Sequence, residues 1–186
     1  DAALTKIGSV GKPLARTEVK LLNAYGEEVA LGEVGEICVR GPQVMKGYLR
    51  NPEETSNTIR NGWLHSGDLG RFDDEGYLYI VDRKKDMIIR GGENIYPIEI
   101  EEVLYQMPEI LEAAVVGIPH EVYGEVPKAF VVLKEGQVLT ETDILNYMKT
   151  QLAKYKVPAE VQFIASLPRN ASGKVLKHTL RPTQNV

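Results

Sequence analysis

Three short segments of this chain carry side chains able to do chemistry. The first is Leu167-Pro168-Arg169-Asn170-Ala171-Ser172-Gly173-Lys174. Pro, Asn, Ser and Gly in one run make a loop, and a Gly beside a Lys lets an ammonium reach a ligand that the backbone also approaches closely. The second is Gly62-Trp63-Leu64-His65-Ser66-Gly67-Asp68, in which an Asp beside Gly in a tight turn can accept two hydrogen bonds from a vicinal diol. The third is Arg90-Gly91-Gly92-Glu93-Asn94, whose paired glycines permit close backbone approach to a ligand. Each has a plainer reading: a solvated Lys on a turn, an Asp bonded to its own backbone, and a bulge or turn.

Other motifs are excluded. The Lys174 loop is not a Walker A loop, because Pro168 stands where that pattern needs Gly and Val175 where it needs Ser or Thr. There is no Gly-x-Ser-x-Gly elbow, and Gly91-Gly92 makes no Gly-x-Gly-x-x-Gly fingerprint. His65, His120 and His178 are far apart in sequence, and no Cys or His pair has ligand spacing, so no metal ligand is assigned. Cys38, the single cysteine, excludes an intramolecular disulfide, reads as a small core residue and suits a cytoplasmic protein.

The elements around these segments change character along the chain. Thr17 to Leu22, Glu36 to Arg40 and Tyr77 to Val81 read as strands, with turns at Asn23 to Gly26 and Asp73 to Gly76. The frequent glycines suit a barrel or curved sheet. Asp82-Arg83-Lys84-Lys85-Asp86 has no apolar anchor and reads as an exposed connector between domains. Beyond it the pattern is mixed α/β. A helix opens at Pro97 with Ile100, Val103, Leu104 and Met107 on one face and is closed by Pro108. Strands are expected at Leu111 to Gly117, Pro127 to Lys134 and Val161 to Ala165, and a short helix from Val175 to Leu180. Thr140 to Asp143 resembles a capping box opening a helix that carries Ile144, Met148 and Leu152.

The 186 residues are 43% hydrophobic, enough for a real core. Apolar runs such as Ala113 to Val116 and Ala129 to Leu133 fall far short of the roughly 20 residues a transmembrane helix needs. A net charge of −4 excludes a general nucleic-acid binder. From Gln151 onward, however, six basic residues face a single acid, a balance suited to small anionic ligands such as phosphates.

Taken in order, these segments resemble the adenylate-forming superfamily of acyl-CoA synthetases, peptide-synthetase adenylation domains and firefly-type luciferases. Gly35 to Pro42 with Met45 to Leu49 looks like its barrel motif, Trp63 to Asp68 its ribose motif, and Asp82 through Gly92 its hinge motif. Leu152 to Pro158 and Pro168 to Lys174 are similar to its last two motifs. The resemblance implies a mixed α+β chain: residues 1–81 as the β-rich end of a large N-terminal domain, 82–86 as a hinge, and 87–186 as a mobile domain with a mixed sheet flanked by helices. It implies that Asp68 and Arg83 hold the ribose and phosphate region of ATP and that Lys85 is the pivot. Gly91 and Gly92 would line the path of the coenzyme A thiol, and Lys174 would bridge carboxylate and α-phosphate. The Gly/Ser/Thr-rich phosphate loop and the aromatic-Gly-x-Thr-Glu segment of the family are not present, and the contacts to Mg²⁺ are expected in that upstream part. The implied activity is a CoA ligase acting on a medium- or long-chain fatty acid, with an aryl acid as the alternative. Carrier-protein loading, a luciferase-type oxygenase and a non-catalytic nucleotide- or CoA-binding module rank below. The implied partners are the carboxylic acid, ATP, CoA and the rest of the N-terminal domain. A chain without the phosphate loop is expected to be inactive by itself: a pyrophosphate-release assay on the isolated 186 residues should read background.

Overall fold

The computed structural model describes residues 6–182. The chain divides into two compact units, Asp1–Lys85 and Asp86–Val186. The first five and last four residues of the two expected domains lie outside the described residues.

The first unit is a six-stranded antiparallel sheet. Its strands are β1 (Ser9–Gly11), β2 (Glu18–Leu22), β3 (Gly35–Arg40), β4 (Ile59–Arg60), β5 (Trp63–Phe72) and β6 (Leu78–Arg83). The order is β1-β6-β5-β3-β2, with β4 paired to β5. Leu21, Ile37 and Leu78 are buried together, and Val19, Val39 and Phe72 pack against them. The turns are tied by side chains in the way Asn and Asp favour. Asn23 Oδ1 accepts from the N–H of Tyr25 and Glu27, and Asp73 Oδ1 from Glu75 and Tyr77.

Three features differ from the sequence expectations. Gly62 to Asp68 is largely strand: β5 starts at Trp63 and runs through Asp68 to Phe72. β6 extends through Asp82 and Arg83, so the first two residues of the charged run are paired strand. A short helix, α1 (Pro52–Thr58), was not foreseen. It buries no residue and so shows no apolar stripe. Its signal is local: Asn51 Oδ1 accepts from the N–H of Glu54, Pro52 starts the helix, and Glu53 and Glu54 fill its first turn.

The second unit contains β7 (Ile88–Arg90), β8 (Glu93–Ile95), α2 (Pro97–Tyr105), β9 (Ile110–His120), β10 (Gly124–Leu133), α3 (Glu141–Gln151), β11 (Glu160–Phe163) and a 3₁₀ turn at Lys177–Leu180. β9 and β10 form a long antiparallel hairpin, and β11 runs parallel to β10, so the sheet is mixed. The two-residue period of β9 and β10 sends alternate residues to opposite faces. Ala113, Val115, Ala129 and Val131 join Ile100, Leu104, Ile144 and Met148 in the main core. Ala114, Val116, Phe130 and Val132 face the other way and pack with Leu167, Val175 and Leu180. Both helices therefore cover one face, and the chain around the Lys174 loop and the 3₁₀ turn covers the other. Lys177 is held there by a 2.7 Å ion pair to Glu101 of α2. α3 begins with the expected capping box, in which Thr140 and Asp143 exchange side-chain and backbone hydrogen bonds.

Candidate functional site

In the first unit, the antiparallel pairing of β5 with β6 sets Asp68 directly opposite Arg83. Arg83 Nε lies 3.3 Å from Asp68 Oδ1. The Ser66 hydroxyl accepts from the Asp68 N–H at 3.1 Å, and the N–H of Lys84 donates to Gly67 O at 2.9 Å. Ser66, Gly67 and Asp68 on one side and Arg83, Lys84 and Lys85 on the other line a cavity of about 390 Å³. That volume is within the range of about 300–1,000 Å³ typical of small-molecule sites. A carboxylate has several acceptor positions, so an Asp ion-paired with one guanidinium keeps capacity for hydroxyl donors.

Behind this cavity lies a polar cluster the sequence did not reveal. Glu36 on β3 is buried, and its Oε2 receives the Lys84 ammonium at 2.9 Å and lies 3.1 Å from His65 Nδ1. Burial alone would push the Glu36 carboxyl up, but the hydrogen bonds from His65 and Lys84 outweigh it and hold the group below the ordinary range. Cys38 Sγ is 3.4 Å from His65 Nδ1, and burial, aided by the Glu36 charge, pushes the thiol up to about 11. Sequence spacing kept Cys38 and His65 apart, whereas strand pairing makes them direct neighbours.

Glu36, Cys38 and His65 present ligand atoms within 4.8 Å of one another. They do not fit Mg²⁺, which demands hard oxygen ligands in octahedral geometry. The trio offers sulfur, nitrogen and one carboxylate that already carries an ammonium. No step is assigned to a metal here.

In the second unit, Gly91 and Gly92 form the two-residue turn of the β7–β8 hairpin, with Arg90 paired to Glu93. Their φ values of 59° and 93° are those such a turn requires at both centres, and glycine adopts them without strain. The Gly91 N–H donates to Tyr123 O at 2.8 Å, and the Arg90 guanidinium lies over the Tyr123 ring.

Lys174 is exposed, on a loop of fixed shape. Asn170 Oδ1 accepts from the N–H of Ser172 and Lys174 and from the Ser172 hydroxyl, at 2.8–3.1 Å. The Asn170 N–H donates to Lys174 O at 3.0 Å, and Gly173 turns the chain at φ 84°. Arg169 donates to Gly173 O and pairs with Glu112. The backbone beneath the ammonium is held by these bonds, and the lysine itself is exposed. The stapling role of Asn170 was missed from sequence, although Asn closing a loop on a Gly two or three residues later is its signature.

The model of the AMP-binding enzyme C-terminal domain matches residues 99–174, and that of the AMP-binding enzyme itself matches residues 1–49. The chain belongs to the AMP-binding enzyme family. Its family match ends at Lys174. It is 52% identical to a 2-succinylbenzoate–CoA ligase of Bacillus cytotoxicus over 97% of its own length and 37% of that protein. It is 49% identical to the putative acyl–CoA ligase YdaB of Bacillus subtilis over 97% of its length and 36% of that protein. Among solved structures, o-succinylbenzoate CoA synthetase of Bacillus subtilis, in complex with its acyl-adenylate intermediate, matches with a TM-score of 0.88. That match has 43% identity and covers 98% of this chain and 37% of the other. The chain thus spans little more than a third of the length of the curated relatives it matches. These relatives carry no fatty-acid name, so the preference for a fatty acid is not supported and the aryl-acid alternative fits better. Among the described residues, no helix is long and apolar enough to cross a membrane.

Proposed function

We propose that the chain is the C-terminal portion of an AMP-forming acid–CoA ligase. The ligase would join a carboxylate to AMP from ATP with release of pyrophosphate, then transfer the acyl group to the thiol of CoA. The observation that carries this reading is the pairing of Asp68 and Arg83 over a ligand-sized cavity, in a chain whose family match takes in the exposed loop lysine Lys174.

Asp68 accepts hydrogen bonds from the ribose hydroxyls, and Arg83 orients that carboxylate while adding positive charge beside the phosphates. Lys174 supplies the cation of the first half-reaction. Attack of a carboxylate on the α-phosphate brings two anions together, and a fixed ammonium between them lowers the repulsion most where water is excluded. Gly91 and Gly92, without side chains at a tight turn, leave a path for the pantetheine thiol. Lys85 is the pivot about which the second unit rotates between the half-reactions, a motion that confines the φ/ψ change to a few residues.

The similarity to 2-succinylbenzoate–CoA ligases favours an aryl acid over a medium- or long-chain fatty acid. CoA-dependent AMP formation by the full-length protein, measured over a panel of aryl and aliphatic acids, tests this. The highest kcat/KM is expected on an aryl acid bearing a free carboxylate side chain. A preference for long-chain fatty acids would reverse the assignment of the acid and leave the ligase chemistry intact. AMP formation with no acid would remove both.

A further inference from the structure

Lys85 stands in the chain between two charged residues that are each tied into a different unit. On one side, Lys84 is held in the first unit twice: its ammonium donates to Glu36 Oε2 at 2.9 Å, and its N–H donates to Gly67 O at 2.9 Å. On the other side, Asp86 Oδ1 lies 3.4 Å from Arg181 Nη2 within the second unit. The Glu36 side chain is only 9% exposed and that of Asp86 15%, so solvent screens each acid less than it would a surface pair. Glu36 is itself held by His65 from the neighbouring strand.

We propose that Glu36 and Arg181 bracket the pivot. Each clamps the residue next to Lys85 to its own unit, and the backbone change of domain rotation is thereby confined to Lys85. Glu36 is then a positioning residue that acts through Lys84. Without the brackets, the change would spread over Lys84 to Asp86, the part of the charged run beyond the end of β6. This inference rests on the reading of Lys85 as the pivot of a two-step ligase.

Limited trypsin digestion of the full-length protein, with each cut mapped by mass spectrometry, tests the bracket. Arg83, Lys84 and Lys85 are potential cleavage points, and cutting there requires the local chain to open. Glu36→Gln is expected to speed cutting after Arg83 and Lys85 roughly five- to tenfold, the scale of losing one partly buried ion pair. Lys84→Met should do the same, the double variant should cut no faster than either single one, and Lys84→Arg should stay near the unaltered rate. Connector cutting unchanged in Glu36→Gln, or effects of the two substitutions that add, would overturn the proposal. So would Glu36→Gln speeding cuts at all sites alike while Lys84→Met cuts at the original rate. If the full-length protein made no acyl-CoA, the ligase reading would fall, while the cleavage pattern would still decide whether the connector is clamped.

Discussion

Lys174→Ala in the full-length protein is expected to slow adenylation by about 100- to 1000-fold, the loss seen when one preorganised charge-stabilising donor is removed. Thioester formation from supplied acyl-adenylate should change by no more than about twofold, a fraction of a kcal/mol in the barrier. The split follows from where charge develops. In the proposed first half-reaction a carboxylate meets a phosphate, and the ammonium would lower the repulsion between them. In the second, a thiol displaces AMP and the lysine has no pair of anions to bridge. The loop geometry predicts that the damage is chemical and not structural. Asn170 fixes the loop through the backbone N–H of Lys174 and through Ser172, and neither contact uses the lysine side chain. The side chain is exposed, so its removal opens no cavity in the core. Single-turnover measurement of each half-reaction, together with a thermal melt, checks this. Equal loss in both steps would contradict the role.

Lys85→Pro should give the opposite split. Proline fixes φ near −65° and removes the backbone N–H, which would restrict the backbone change proposed for Lys85. Thioester formation is expected to slow by about tenfold or more, equivalent to some 1.4 kcal/mol in the barrier, with adenylation affected much less. Rates of acyl-AMP formation and of its consumption by CoA, measured separately, distinguish this from a general loss of folding. Full CoA-dependent turnover in Lys85→Pro would count against the hinge.

What could be read from the sequence followed the range of the interactions involved. The Lys174 loop is local: Pro, Asn, Ser and Gly within a few residues dictate a turn, and the structure closes it through Asn170. The capping box at Thr140 and the helix with Ile100, Val103 and Leu104 on one face are local as well. Asp68 was placed in a turn because its flanking Ser and Gly are turn residues. Pairing with β6 makes Asp68 strand, while the β3–β5 ladder breaks between His65 and Leu69, where Gly67 keeps a turn-like φ of 74°. The Glu36–His65–Lys84 cluster was invisible because its members are far apart in the chain and meet only through the register of β3, β5 and β6. The covering of the second sheet by the Lys174 loop and the 3₁₀ turn was equally hidden. Leu167, Val175 and Leu180 have no helical or strand period to announce which face they cover.

The most direct test of the two-step account is a rapid-quench single turnover of the full-length protein with ATP and an aryl acid in the absence of CoA. Acyl-adenylate and pyrophosphate should form together in amounts equal to the enzyme, and addition of CoA should convert the bound adenylate to thioester and AMP. Release of ADP and phosphate, or thioester formation with no adenylate preceding it, would contradict the account.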